Sequence, residues 1–156
     1  MKLFKKVVIT ACTLLITTSV VAETAQSEKQ AERATKYRQA VFSLLGSNMG
    51  TLGAMAKGKI PVDAKVVEKN AARINQLSLM IADYSKLDTS GFKVKTEALD
   101  KIWQDDKQYA EKVNDLTLAS AALQKAALSG DEKAIKKAIG GVGKTCGGCH
   151  DVFKAE

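Results

Sequence analysis

Residues 131–153 read DEKAIKKAIGGVGKTCGGCHDVF, and the period of this stretch sets the fold class. Asp131 is a residue type that caps helices. Behind it Ala134, Ile135, Ala138, Ile139, Val142, Cys146, Cys149 and Phe153 recur every three to four residues, as one face of an α-helix does. By propensity the helix is a poor one. Gly140, Gly141 and Gly143 each cost about 1 kcal/mol relative to alanine inside a helix, so something other than backbone preference must hold it.

Upstream, the same period returns three times. From about Ser27 to Met55 the stripe is Ala34, Tyr37, Val41, Leu44, Leu45, Met49 and Leu52. Gly50, Gly53 and Gly58 loosen its end, and Pro61 suits the first turn of the next helix. That helix runs to Tyr84 on Val67, Ala71, Ile74, Leu77, Ile81 and Tyr84. After the turn cluster Asp88-Thr89-Ser90-Gly91 and an irregular stretch, Leu99, Ile102, Trp103, Tyr109, Val113, Leu116, Ser120 and Leu123 predict a third helix ending near Ser129-Gly130. Four helices with short connections predict an all-α, antiparallel four-helix bundle, a fold whose core holds cofactors between facing helices.

The last helix supplies the cofactor signal. Cys146-Gly147-Gly148-Cys149-His150 is the CxxCH pattern of c-type haem attachment. On a helix the two cysteines sit one turn apart and face the same way, so their thiols reach the two vinyl groups on one porphyrin edge. His150 projects beside them toward the iron, and Gly147 and Gly148 let the backbone approach the macrocycle. A structural zinc site lacks ligands, because His150 is the only histidine and Cys12, the third cysteine, leaves with the leader described next. A redox CxxC would be expected beside a βαβ pattern, which is absent. A single histidine also excludes a bis-histidine haem. The sixth iron position falls to methionine, lysine, an exogenous ligand or nothing, with Met49, Met55 and Met80 as the methionines beyond the leader.

The chain of 156 residues opens with Lys2, Lys5 and Lys6 followed by an uncharged run, Val7 to Val21, the layout of a secretory signal. The run is shorter than the roughly 20 residues of a spanning helix. Cleavage after Ala22 is expected, leaving residues 23–156 as one domain, exported to the periplasm with no membrane attachment. Removal of the three lysines takes the formal charge from +7 to +4. The excess is dispersed among acids, as at Glu32-Arg33 and Glu68-Lys69, which gives no support to nucleic-acid binding.

A haem motif within ten residues of the C-terminus of a four-helix chain resembles the class II cytochromes c, in particular the cytochromes c′. The resemblance extends to Lys36-Tyr37-Arg38-Gln39 and to Ile102-Trp103. It implies that the first helix crosses the far side of the haem, with Arg38 and Gln39 at the haem edge and Arg38 pairing with a propionate. It places Phe42 over the iron, where low-spin members carry methionine and cytochromes c′ carry an apolar residue. Phenylalanine cannot coordinate, so five-coordinate iron is expected. Lys154 stands where many members have a basic residue beside the proximal imidazole, and Leu99 and Asp100 are further cofactor-contact positions. The resemblance implies a non-enzymatic binder of nitric oxide or carbon monoxide, often a homodimer through the first two helices and served by an unidentified redox partner. The alternative is a six-coordinate electron carrier, with Met49 as the ligand it would recruit. A peroxide-consuming enzyme would need a second histidine as acid–base catalyst.

Overall fold

The computed structural model describes residues 23–156, all helical apart from connections and two isolated β-bridges; the expected secretory signal lies outside the described residues. The helices are α1 (Glu28–Ala56), α2 (Ala64–Ser85), α3 (Lys101–Gln104), α4 (Asp106–Ser129) and α5 (Glu132–Phe153). The four long ones form the bundle. α2 packs most extensively on α4, α4 on α5, and α1 on α2 and α5, which closes the ring. No described helix is long and apolar enough to cross a membrane.

Side-chain caps explain where the long helices begin. Ser27 Oγ accepts from Gln30 N, and Asp131 Oδ1 accepts from Lys133 N and Ala134 N, each relieving amide groups that lack a partner in the first turn. Two expectations are corrected. Pro61 is not in the first turn of α2; Asp63 Oδ1 accepts from Lys65 N and Val66 N, so the helix starts after Asp63 and Pro61 lies in the lead-in. The expected third helix is broken at Asp105, whose φ of −130° and ψ of 57° leave the helical region. Its carboxylate accepts from Gln108 N at 3.3 Å, so a second cap starts α4 where one continuous helix was expected.

The core is a seam of Leu52, Val67, Ile74, Leu123, Ile135 and Val142, all essentially sealed from solvent. A polar set crosses it between α2 and α4, where Asn75 Nδ2 donates to Thr117 O and Ser120 Oγ, and Ser78 Oγ donates to Asn75 O. These bonds satisfy buried groups that would otherwise cost stability, and they fix the register of the two helices. Several members of the apolar stripes are exposed rather than in the core, Leu99 among them. Tyr37, Leu44 and Tyr84 are 54%, 53% and 37% exposed, while Thr35 and Arg38 on α1 are buried. α1 therefore has two apolar flanks, and only one faces the bundle.

Candidate functional site

α1, α4 and α5 do not close on one another along their whole length. Between them, and under the segment 93–98, lies a cavity of about 1350 Å³, larger than the roughly 300–1,000 Å³ of ordinary small-molecule pockets. α5 contributes Cys146, Cys149, His150 and Phe153 to its wall. The two thiols are half-buried and free. Burial pushes the Cys149 thiol above its ordinary pKa, and neighbouring Cys146 adds to this, while Lys112 opposes it. Burial likewise raises Cys146.

The α1 wall is a stripe of Arg38, Gln39, Phe42, Gly46 and Met49. Arg38 is only 2% exposed. Its Nη2 lies 3.5 Å from Thr35 Oγ1, its guanidinium carbon stands 5.1 Å from the Trp103 ring centroid, and Nη1 has no hydrogen-bond partner. Burial pulls its pKa down, opposed by Tyr109 and Asp88. A buried cation with a spare donor is costly unless an anionic group enters the cavity. Trp103 is itself held, its Nε1 donating to Ser85 O at 2.8 Å.

Gln39 Nε2 donates to Lys95 O at 2.9 Å, pinning the segment 93–98 over the mouth. The other end of that segment is fixed to the end of α5. Ala98 and Lys154 form an antiparallel bridge, Ala155 N donates to Glu97 O, and Lys154 Nζ pairs with Glu97 Oε2 at 3.0 Å. Lys154 thus lines the cavity with its charge already engaged. Leu99 and Asp100 do not line it. Leu99 N donates to Phe153 O and Asp100 O accepts from Trp103 N, so both serve the connection into α3 instead.

Of Met49, Met55 and Met80, only Met49 lines the cavity. The geometry adds residues that sequence reasoning missed. Tyr109 is buried against Phe153, ring centroids 5.2 Å apart, and shares a hydrogen bond with Ser85 Oγ at 3.1 Å. Lys112 lines the wall near Gly148, its Nζ 3.8 Å from where a Cβ would stand. Tyr109 was visible as a stripe member, but Lys112 and the segment 93–98 carry no periodic signal.

The sequence profile of the family described as cytochrome c′ matches residues 33–154. The chain belongs to the cytochrome c′ family. Cytochrome c′ from Rubrivivax gelatinosus is 37% identical over 122 residues, covering 78% of this chain and 93% of that protein. The structure of cytochrome c prime from Shewanella frigidimarina superposes with a TM-score of 0.74 at 41% identity, covering 81% of this chain and 97% of that one. A variant of cytochrome c prime from Alcaligenes xylosoxidans, solved as its nitric oxide complex, matches with a TM-score of 0.72 at 29% identity, covering 81% and 96%. Another variant of that protein was solved with carbon monoxide bound. As in its family, the cofactor of this chain is a covalently attached c-type haem. The cavity fits it, with two thiols and one imidazole on one wall and, on another, a buried guanidinium whose Nη1 has no partner.

Proposed function

We propose that this cytochrome c′ family member is an exported, periplasmic protein that binds nitric oxide and carbon monoxide at a five-coordinate haem. Cys146 and Cys149 hold the haem through thioethers and His150 supplies the one protein ligand to iron. Arg38 would direct its free Nη1 to a propionate, and Gln39 flanks the haem edge. With His150 as the one protein ligand, the haem would supply an iron able to take up a small ligand. The observation that carries the reading is Phe42, a side chain with no coordinating atom, on the cavity stripe of α1. The nitric oxide and carbon monoxide complexes of the Alcaligenes xylosoxidans relative support the choice of gases.

The test is the spin state of the purified ferric protein, followed by titration of the ferrous protein with each gas. A high-spin signal is expected, and Phe42→Met is expected to convert it to low spin by placing a thioether in the cavity. The second reading, electron transfer through six-coordinate iron, draws on Met49, which shares the same stripe. A low-spin parent whose signal is lost in Met49→Leu would establish that reading in place of the first.

The same proposal includes a homodimer. Tyr37 and Leu44 on α1 and Met80 and Tyr84 on α2 are exposed, and the Tyr37 and Tyr84 rings meet edge-on at 6.0 Å, which joins the two helices into one patch. Burying a charge there without a partner is unfavourable. Sedimentation should show a dimer for the parent, with Leu44→Glu weakening association by at least about tenfold, equivalent to ~1.4 kcal/mol.

A further inference from the structure

Beyond the expected signal, residues 23–156 carry 21 lysines and arginines and 17 acids. Six of those cations and two of those acids line the cavity, and the other 15 cations and 15 acids cancel. The whole formal excess of +4 is therefore gathered at one opening in the surface, and the rest of the protein is neutral in sum. The haem propionates lower the sum at the opening and that of the whole protein alike, so the asymmetry persists in the holoprotein. The excess comes from separate elements. Lys36 stands on α1, Lys93 and Lys95 on the segment 93–98, and Lys112 on α4, and none of the four is in an ion pair among the described residues. Of the two acids, Glu97 is taken by Lys154, which leaves Glu32. Residues 93, 95 and 97 are exposed while 94, 96 and 98 are partly covered, the alternation of an extended chain, so Lys93 and Lys95 stand outward from the mouth. Asp151 and Glu156 line a separate depression beside His150 and bound the basic field on that side.

We propose that this rim is the docking surface for a one-electron redox protein with an acidic face, the partner that sets the oxidation state of the haem iron. Such docking goes beyond gas binding and serves five- and six-coordinate iron alike. Charges of one sign around a recess steer an oppositely charged partner toward it and raise association rates by about 10- to 1,000-fold at low salt. One electron passes from the partner's reduced centre to the ferric haem, with no bond made or broken and no proton moved. An anionic membrane is the less suited occupant. Polybasic membrane-binding segments gather about four to eight lysines or arginines in one stretch, whereas here the lysines are dispersed over three elements.

Reduction of the ferric holoprotein by ferrous EDTA, an anionic one-electron donor, and by hexaammineruthenium(II), a cationic one, measures the field by stopped flow. The parent is compared with Lys93→Glu/Lys95→Glu and with Lys65→Glu/Lys69→Glu. Lys65 and Lys69 are exposed on α2 and do not line the cavity, so the second variant makes the same change of net charge elsewhere. Gln39 bonds to the main-chain oxygen of Lys95, which the side-chain change leaves in place. At low ionic strength the rim variant is expected to slow the anionic donor about tenfold and to speed the cationic one, both effects fading as salt screens the charges. The α2 variant should change either rate less than about twofold, because its charges lie beyond the screening length of the opening. Equal effects of the two variants would overturn the proposal, since only net charge would then matter, and so would a rim variant with the parent's rates. Reduced flavodoxin, an acidic one-electron protein, is the protein probe, and its rate should follow that of ferrous EDTA in all three proteins. Flavodoxin rates that the rim variant leaves unchanged would overturn the docking assignment, and rim-dependent sedimentation with phosphatidylglycerol vesicles in that case would give the surface to a membrane instead.

Discussion

The Cys146→Ala, Cys149→Ala double variant is expected to show the intact mass of the bare chain, whereas the parent retains the added mass of one haem after denaturation. Each single variant keeps one candidate thioether, so only the double variant removes every covalent link. A second effect follows from the packing. The cavity of about 1350 Å³ is walled by apolar side chains, among them Phe42, Val113 and Leu116, which lose packing partners when the space is not filled by the cofactor. α5 is the helix most exposed to the loss, because its glycines leave it dependent on Ile135, Ile139, Val142 and Phe153 and on the haem anchor. The expected result is a protein that retains much of its far-ultraviolet helical signal and loses its near-ultraviolet signal and cooperative melting. A double variant that still carries haem mass would refute the attachment.

How much of this was legible before the coordinates depended on whether a residue repeats or caps. α1, α2 and α5 were readable because their apolar positions recur every three to four residues, and Asp131 is a recognisable cap. The break at Asp105 was not, since Ile102 and Tyr109, at positions 102 and 109, are spaced as a single helix would space them. The non-helical backbone of Asp105 and its side chain, which accepts from Gln108 N, show that the chain restarts there. The exposed stripe of Tyr37 and Leu44 misled for a related reason. A helix with two apolar flanks has one period, and the period does not say which flank the bundle takes. At the site, the attachment motif is contiguous and was legible, and the resemblance carried Arg38 and Phe42. The segment 93–98 was not, because its role comes from a hydrogen bond of Gln39 to a main-chain carbonyl and from pairing with Lys154, interactions that no periodic pattern marks.

Phe42→Ala is expected to speed carbon monoxide association with the ferrous protein by about 10- to 100-fold, and the parent is expected to hold oxygen poorly while holding nitric oxide well. The argument begins with the ring itself. A gas arriving on the α1 side meets Phe42 on the cavity wall, and moving that ring aside once it is packed against the bound haem would cost on the order of 1–3 kcal/mol. At ~1.4 kcal/mol per tenfold in rate, that cost is the expected gain on truncation. A ligand that binds weakly cannot recover it. Oxygen has a further disadvantage, because it gains negative charge on binding and is stabilised by a nearby hydrogen-bond donor, one of the features by which a distal pocket sets ligand choice. Phe42 offers no such donor, and Met49, two turns further along α1, has none either. Gln39 directs its amide to Lys95 O and Arg38 is the candidate propionate partner, so neither polar member of the Arg38–Met49 stripe is free to donate; Ser43, which also lines the cavity, lies about 100° round the helix from Phe42. Nitric oxide bonds iron strongly and depends less on a donor, so selectivity follows from what the α1 wall lacks. Stopped-flow mixing of the ferrous parent and Phe42→Ala with nitric oxide, carbon monoxide and oxygen measures all three. Stable oxygen binding by the parent, or an unchanged carbon monoxide rate in Phe42→Ala, would refute the steric account.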